Sequence, residues 1–122
     1  MIRLLVVVSI ALAGCKKDEP AKSTAALNVA SAEAGQRLHV ERGCNACHSI
    51  DGSKLVGPTF KGLWGRRVET AAGVVVADLA YFKESILNPN AKVANGYPPA
   101  MPPQNLSEVE IESLYLYVQT LQ

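Results

Sequence analysis

The stretch GCNACHSI, residues 43–50, places two cysteines three positions apart and a histidine directly after the second. Thiols and an imidazole at this spacing can attach a haem covalently, contribute to a zinc site, or form a disulfide. The C-x-x-C-H pattern is typical of c-type haem attachment. Near the end of a helix, Cys44 and Cys47 could reach the two vinyl groups on one porphyrin edge. His48 could then bind the iron.

The other two chemistries fit the rest of the chain less well. A structural zinc site takes four Cys or His ligands, but apart from Cys15 the chain adds only the remote His39 to the motif. A thioredoxin-like dithiol lies near a βαβ pattern, whereas this chain predicts helices. A plain disulfide between Cys44 and Cys47 suits an exported protein but leaves His48 without a role. We therefore favour haem attachment and keep a haemless dithiol or disulfide protein as an alternative.

A second axial ligand to the iron is suggested by Met101. It lies in the segment YPPAMPP, where each proline fixes its own φ and drives the preceding residue toward an extended conformation. Such a segment loses little conformational freedom when its sulfur binds a metal. In the alternative interpretations Met101 only fills a gap in the core, the prolines form a polyproline II ligand, or His39 is the second axial ligand.

Three helices are predicted to position these groups. Ser31 is the expected N-cap of a first helix over residues 32–44, which carries the motif and has Gly35 where another helix could approach closely. A second helix is expected over residues 78–88, capped by Asp78. Its apolar stripe comprises Leu79, Phe82 and Ile86.

The third helix has the clearest start signal. Ser107 and Glu110 form a predicted capping box, and Leu106 and Ile111 a hydrophobic staple. Its predicted apolar face comprises Ile111, Leu114, Tyr115, Val118 and Leu121.

Between the first two helices, residues 52–67 predict a loop and residues 68–76 a small hairpin around Gly73. Loops of this length usually serve function rather than packing. The expected fold class is therefore all-α, with long loops wrapped around a cofactor.

The first residues predict export. Arg3 precedes an apolar run over residues 4–13 that is too short to span a membrane. The run leads to LAGC, residues 12–15, which resembles the lipobox of bacterial lipoproteins. We expect a signal peptide over 1–14, a lipidated Cys15 and flexible linker over 15–30, and a head domain over 31–122. Acylation of Cys15 would anchor the protein on the periplasmic or extracytoplasmic face of a membrane. The alternative is an ordinary secretory signal with an incidental cysteine.

Length and composition limit the remaining possibilities. A chain of 122 residues with 19% charged residues and a formal net charge of +1 predicts one small domain and no nucleic-acid partner. Within the head, basic residues follow the motif and acidic residues mark the last helix. The basic residues are Lys54, Lys61, Arg66 and Arg67, and the acidic residues are Glu108, Glu110 and Glu112. This distribution favours docking to an acidic partner.

The chain from about residue 32 to residue 122 resembles the class I monohaem cytochromes c. It is especially similar to the cytochrome c domain fused to subunit II of some bacterial haem-copper oxidases, here as a free-standing lipoprotein. The stretches that carry the resemblance are GPTFKGLWGR, SILNPNAKV, GYPPAMPP and LSEVEI. The resemblance implies that the first and last helices cross beside one covalent haem. It also implies Gly35 at the crossing, with Tyr115 or Leu114 packed opposite.

The resemblance also implies roles for the site residues. Cys44 and Cys47 would be the thioether residues, and His48 and Met101 the axial ligands. The carbonyl of Pro58 would accept the Nδ1 proton of His48, which would set the tautomer.

Other residues are candidates for the haem pocket. Trp64 could donate its indole N–H to a haem propionate, and Arg66 or Arg67 could pair with the propionate charge. Tyr97 and Asn95 are expected to line the Met101 side.

The expected function is one-electron transfer, since two protein ligands leave no open coordination position for a substrate. The protein would be a monomeric carrier, not an enzyme, passing electrons to or from a respiratory redox protein such as a terminal oxidase. The alternative is a haem enzyme or gas sensor in which Met101 is off the iron.

Overall fold

The computed structural model describes residues 29–122. The predicted signal peptide, Cys15 and almost all of the predicted linker therefore lie outside the described residues. Within them, no helix has the length and apolar character needed to cross a membrane.

Helix α1 spans Ala32–Glu41 and begins where the sequence predicts. The Ser31 hydroxyl accepts a hydrogen bond from the backbone N–H of Ala34 at 3.1 Å. The helix ends three residues before the predicted position, because Gly43 adopts a left-handed φ of 71° that a right-handed helix cannot continue. The motif consequently begins on a separate 3-10 turn, Cys44–Ala46.

A two-stranded antiparallel hairpin follows the long loop, so the all-α prediction is only approximately correct. Strand β1 spans Arg67–Thr70 and β2 spans Gly73–Val76, with Val68 opposite Val75. Gly73 begins the second strand with a φ of 113° instead of lying at the centre of the turn. The hydroxyl of Thr70 donates to the Gly73 carbonyl at 2.7 Å and closes the turn.

Helix α2 spans Leu79–Leu87 and is capped by Asp78, whose carboxylate accepts from the Tyr81 N–H at 2.9 Å. Phe82 and Ile86 are buried as predicted, but Leu79 is 39% exposed. The buried stripe is shorter than predicted because Leu79 is the first helical residue and lies at the edge of the core.

Helix α3 spans Glu108–Gln119, and its capping box is confirmed. The Ser107 N–H donates to the Glu110 carboxylate at 2.8 Å, and the Glu110 N–H donates to the Ser107 hydroxyl at 3.3 Å. Leu106 and Ile111 are both buried, as a hydrophobic staple requires. The buried face is wider than predicted, because Ser113 and Tyr117 are buried as well.

The first and last helices cross at Gly35, as expected. A Cβ atom on Gly35 would lie 2.0 Å from the carbonyl oxygen of Ser113 and 2.8 Å from the Cβ of Tyr117, so only glycine fits. The residues opposite Gly35 are thus Ser113 and Tyr117 instead of the expected Leu114 or Tyr115. Residues four apart share one helix face, and this pair faces α1, whereas Leu114 and Tyr115 belong to the core cluster.

Candidate functional site

A cavity of about 470 Å³ lies between the motif turn, the hairpin, α2 and the proline-rich segment. Its volume falls within the usual range for small-molecule and cofactor sites, roughly 300–1,000 Å³. Nine of the site residues predicted from the sequence lie on its wall: Cys44, Cys47, His48, Pro58, Arg66, Arg67, Asn95, Tyr97 and Met101. The fold therefore brings together groups that are up to 57 positions apart in the chain.

The His48 ring is held in one orientation. Its Nδ1 donates to the carbonyl of Pro58 at 2.7 Å, and its face stacks on Phe60 with ring centroids 4.6 Å apart and planes 15° from parallel. With the proton on Nδ1, the lone pair of Nε2 is free to bind a metal. Burial lowers the pKa of His48 although the Pro58 hydrogen bond opposes the shift, which favours the neutral ring that metal binding needs.

The loop after His48 folds back closely on the motif. The Gly57 N–H donates to the Cys47 carbonyl at 2.9 Å, and the Phe60 N–H donates to the Ser49 carbonyl at 2.8 Å. A Cβ atom on Gly57 would lie only 2.5 Å from Cε1 of His48. The absence of a side chain at position 57 thus makes the space that the His48 ring fills.

No disulfide joins the two cysteines, and both lie partly buried on the cavity wall. In the chain before haem attachment, burial raises the pKa of the Cys44 thiol. The described residues contain no cluster of three His, Cys, Asp or Glu side chains that could hold a metal ion by themselves. This donor set suits a prosthetic group attached through sulfur better than a structural zinc ion.

Met101 is partly buried and packs against the hydrophobic core while lining the same cavity as His48. The segment around it is anchored at both ends. The Asn95 N–H donates to the Glu69 carbonyl at 2.8 Å, and the Gln104 N–H donates to the Ile86 carbonyl at 3.0 Å. Asn95 and Tyr97 line the cavity near this segment, where the sequence places them.

Trp64 does not lie on the cavity wall, and its contact with a haem propionate stays a prediction. Its side chain is 41% exposed and packs edge-on against Tyr115, with ring centroids 5.0 Å apart. The preceding residue, Leu63, is buried and lines the cavity instead. In an irregular loop, periodicity gives no guide to which neighbour faces inward.

The charged residues on the cavity wall are mostly basic. They comprise Arg42, Arg66, Arg67 and Lys92, with Glu69 as the acidic exception. Two of them are already paired, because Arg42 lies 2.6 Å from Glu110 and Lys92 lies 2.6 Å from Glu84. Arg66 and Arg67 remain as candidates to pair with the carboxylates of a bound cofactor.

Several wall residues were not predicted as part of the site. Seven of these are buried apolar side chains: Phe60, Leu63, Val68, Phe82, Ile86, Leu106 and Leu114. The sequence predicts four of them as helix-packing residues: Phe82, Ile86, Leu106 and Leu114. Their spacing indicates that they are buried, but it does not indicate that the buried face borders a cavity. Phe60 has a local signal that could have identified it, since it follows Pro58 by two residues in GPTF.

These residues fit a haem. Two thiols, an imidazole with its Nδ1 satisfied, a thioether and basic groups surround one largely apolar cavity. An apolar wall suits the macrocycle, whereas the basic groups suit its carboxylates.

Comparisons with known proteins identify the family. A family model described as Cytochrome c matches residues 32–122. Cytochrome c-551 of Azotobacter vinelandii is 36% identical over 88 residues, which cover 72% of this chain and 98% of that protein. The structure of cytochrome cH from Methylobacterium extorquens aligns with a TM-score of 0.58 and 25% identity, covering 74% of this chain and 98% of that one. The chain therefore belongs to the cytochrome c family, as a class I electron carrier with one covalently bound haem c.

Proposed function

We propose that this cytochrome c is a membrane-tethered one-electron carrier that exchanges electrons with a respiratory complex such as a terminal oxidase. Cys44 and Cys47 form the thioethers, and His48 and Met101 are the axial ligands. The observation that carries the proposal is that all four side chains line one cavity while Nδ1 of His48 donates to the Pro58 carbonyl.

The chemistry of the ligands supports a carrier. A haem with two protein ligands supplies one-electron redox chemistry and has no open position for a substrate. A His and Met ligand pair raises the reduction potential, which suits exchange with a high-potential partner. The buried apolar wall, including Phe60, Phe82 and Ile86, excludes water from the site. Arg66 and Arg67 pair with the cofactor carboxylates.

A visible absorption spectrum of the exported holoprotein tests the site. We expect colour that survives denaturation and acid-acetone extraction, and a low-spin oxidised form with a weak far-red iron–sulfur band. The Met101→Ala variant should keep the covalent colour and lose the far-red band. Loss of all colour on extraction would contradict covalent attachment, and a high-spin native spectrum would favour the haem enzyme or gas sensor.

The tether depends on Cys15, which lies outside the described residues. LAGC resembles a lipobox, and export is typical of c-type cytochromes. In cells fed labelled fatty acid, we expect label in the wild-type protein and none in Cys15→Ser, which should be released as a soluble coloured head or remain as an uncleaved precursor. Two outcomes would contradict the tether: a wild-type protein that takes up no label, or a wild-type protein that fractionates in the same way as Cys15→Ser.

Docking to an acidic partner is supported by exposed basic side chains. Lys54 and Lys61 lie in the loop after His48, and Arg66 and Arg67 are exposed at the cavity wall. Oxidation of the reduced protein by oxidase-containing membranes should slow as ionic strength rises, and Lys61→Gln should reduce that salt dependence. Lys83→Gln is the matched control, because Lys83 lies on α2 and is paired with Glu108. A rate independent of salt would contradict this docking mode.

A further inference from the structure

We infer that His39 is a positioning residue for His48, and that its Nε2–H holds the backbone carbonyl of the axial ligand. The inference rests on the proposed role of His48 as a ligand to the haem iron. It assigns a function to a buried histidine that the proposed electron-transfer site does not otherwise use.

The first observation is a hydrogen bond. Nε2 of His39 lies 3.3 Å from the carbonyl oxygen of His48. A carbonyl only accepts, so Nε2 carries the proton in this contact. Within residues 29–122, no backbone N–H donates to that carbonyl. Since His39 is only 4% exposed, solvent has little access to replace the His39 donor.

The second observation is that aromatic packing holds the His39 ring in place. The ring lies 5.5 Å from the ring of Phe60 and 5.7 Å from that of Tyr117, between centroids. Phe60 also stacks on the ring of His48. One aromatic side chain therefore touches both histidines, and His39 has little freedom to turn away from the carbonyl.

The third observation connects His39 to the helix crossing. His39 lies four residues after Gly35, on the same face of α1, and Gly35 lets α1 approach Ser113 and Tyr117 of α3. The crossing fixes the backbone of α1 and hence the origin of the His39 side chain. His48 is then held at two points: its ring by the Pro58 carbonyl and its peptide group by His39. Such outer hydrogen bonds orient a metal ligand.

Two variants of the full-length holoprotein separate the donor from the ring. His39→Phe keeps an aromatic ring for Phe60 and Tyr117 but removes the donor. His39→Gln keeps an N–H donor of similar reach but removes the ring. Each variant is compared with the wild-type protein in both redox states.

The readout is the His48 carbonyl itself. His48 is the only histidine followed by serine, so ¹³C-carbonyl His and ¹⁵N-Ser labelling gives one carbonyl–amide cross-peak, from His48 and Ser49. In the oxidised protein, the hyperfine-shifted resonances of the ligand ring report its orientation. The free energy of unfolding does not decide the matter, because loss of ring packing lowers it too.

We expect His39→Phe to shift the His48 carbonyl resonance to lower frequency and to change the hyperfine pattern, while His39→Gln stays close to wild type in both. A wild-type cross-peak and hyperfine pattern in His39→Phe would overturn the inference. So would equal changes in both variants, since the ring and not the donor would then matter.

Failure of the proposed ligation is seen separately, in the wild-type protein alone. If its oxidised form lacks hyperfine-shifted signals from His48, then His48 is not a ligand and the inference falls with the proposal. If those signals are present and the variants behave otherwise than expected, only the role of His39 is overturned.

Discussion

The two sides of the cavity are held by different means. On the His48 side, residues 44–60, hydrogen bonds cross the loop, including those from His48 to Pro58, Gly57 to Cys47 and Phe60 to Ser49. On the Met101 side, residues 95–104, the segment is anchored to the rest of the fold near its two ends, and between those anchors four prolines restrict the backbone.

The two sides should therefore resist different kinds of change. Hydrogen bonds and close packing give a position that is costly to deform, because a shift leaves polar groups unpaired. Proline instead acts by reducing the conformational freedom of the unfolded chain. It adds no contact that a local movement of the folded segment would break, so such a movement costs little free energy. We therefore expect the His48 side to respond to steric change and the Met101 side to respond to changes in chain stiffness.

The largest effect is expected from Gly57→Ala. The new Cβ would lie 2.5 Å from Cε1 and 2.8 Å from Nδ1 of His48, so the ring must move. Overpacking of this kind costs about 1–3 kcal/mol, and the low-spin spectrum should change. Denaturant unfolding followed by absorption measures both.

The matched control is Gly96→Ala on the Met101 side. Gly96 has a φ of 84°, and among residues 29–122 no heavy atom beyond its chain neighbours lies within 4 Å of an added Cβ. Alanine there therefore costs about 1 kcal/mol from backbone conformation alone. The Gly96→Ala variant should keep the low-spin spectrum of the wild-type protein. A larger loss from Gly96→Ala than from Gly57→Ala would reverse the comparison.

Met101→Leu should separate ligation from packing. The two side chains have similar volumes and Met101 is only partly buried, so loss of packing should cost less than about 1.5 kcal/mol. The sulfur is lost entirely, so the far-red band should disappear. Persistence of that band, read from the oxidised spectrum, would show that Met101 is not the ligand.

A smaller effect is expected from relaxing the Met101 segment. Pro99→Ala or Pro102→Ala gives the unfolded segment more conformational freedom, worth about 0.4–1 kcal/mol. Added imidazole competes with Met101 for the iron, so its affinity should rise roughly two- to fivefold. A titration followed by loss of the far-red band measures this gain. Pro58→Ala is the control, since it keeps the carbonyl that accepts from His48. An equal gain in Pro58→Ala would mean that the proline effect is not local.

The smallest effect concerns pH and the His48-side loop. The Asp51 carboxylate accepts from the Ser53 N–H at 2.9 Å, and hydrogen bonds from Ser53 lower the pKa of Asp51 below its usual value of 3.8. A lowered pKa means that the stabilisation is complete above the unfolded-state pKa and is lost as pH falls through the folded-state pKa. The Ser53 amide should therefore lose protection against hydrogen exchange below about pH 4. Asp51→Asn keeps an acceptor without a titrating group, and an unchanged pH dependence there would exclude Asp51 as the cause.

The structure confirms predictions that depend on near neighbours in the chain. Ser31, Asp78 and Ser107 each accept a hydrogen bond from an N–H three residues later. The covalent chain itself keeps these partners close, so residue type and spacing are sufficient. The end of α1 is predicted less well, because the conformation of Gly43 is not visible in a periodic pattern.

Predictions that require knowledge of distant partners are less successful. Residue type identifies Trp64 as a donor, but only the tertiary structure shows it packed edge-on against Tyr115 and off the cavity wall. The residues opposite Gly35 depend on how α1 and α3 cross, which involves positions 78 residues or more apart in the chain. A shift of one or two residues at that crossing would bring other side chains to Gly35.

The family, the attachment chemistry and the helix starts are predictable from the amino-acid sequence, because each depends on residues a few positions apart. Three contacts of His48 become visible only in the folded chain: Gly57 makes room for its ring, Phe60 stacks on that ring, and His39 reaches its carbonyl. These contacts form when helix crossing and loop closure bring distant segments together, and no local pattern specifies that geometry.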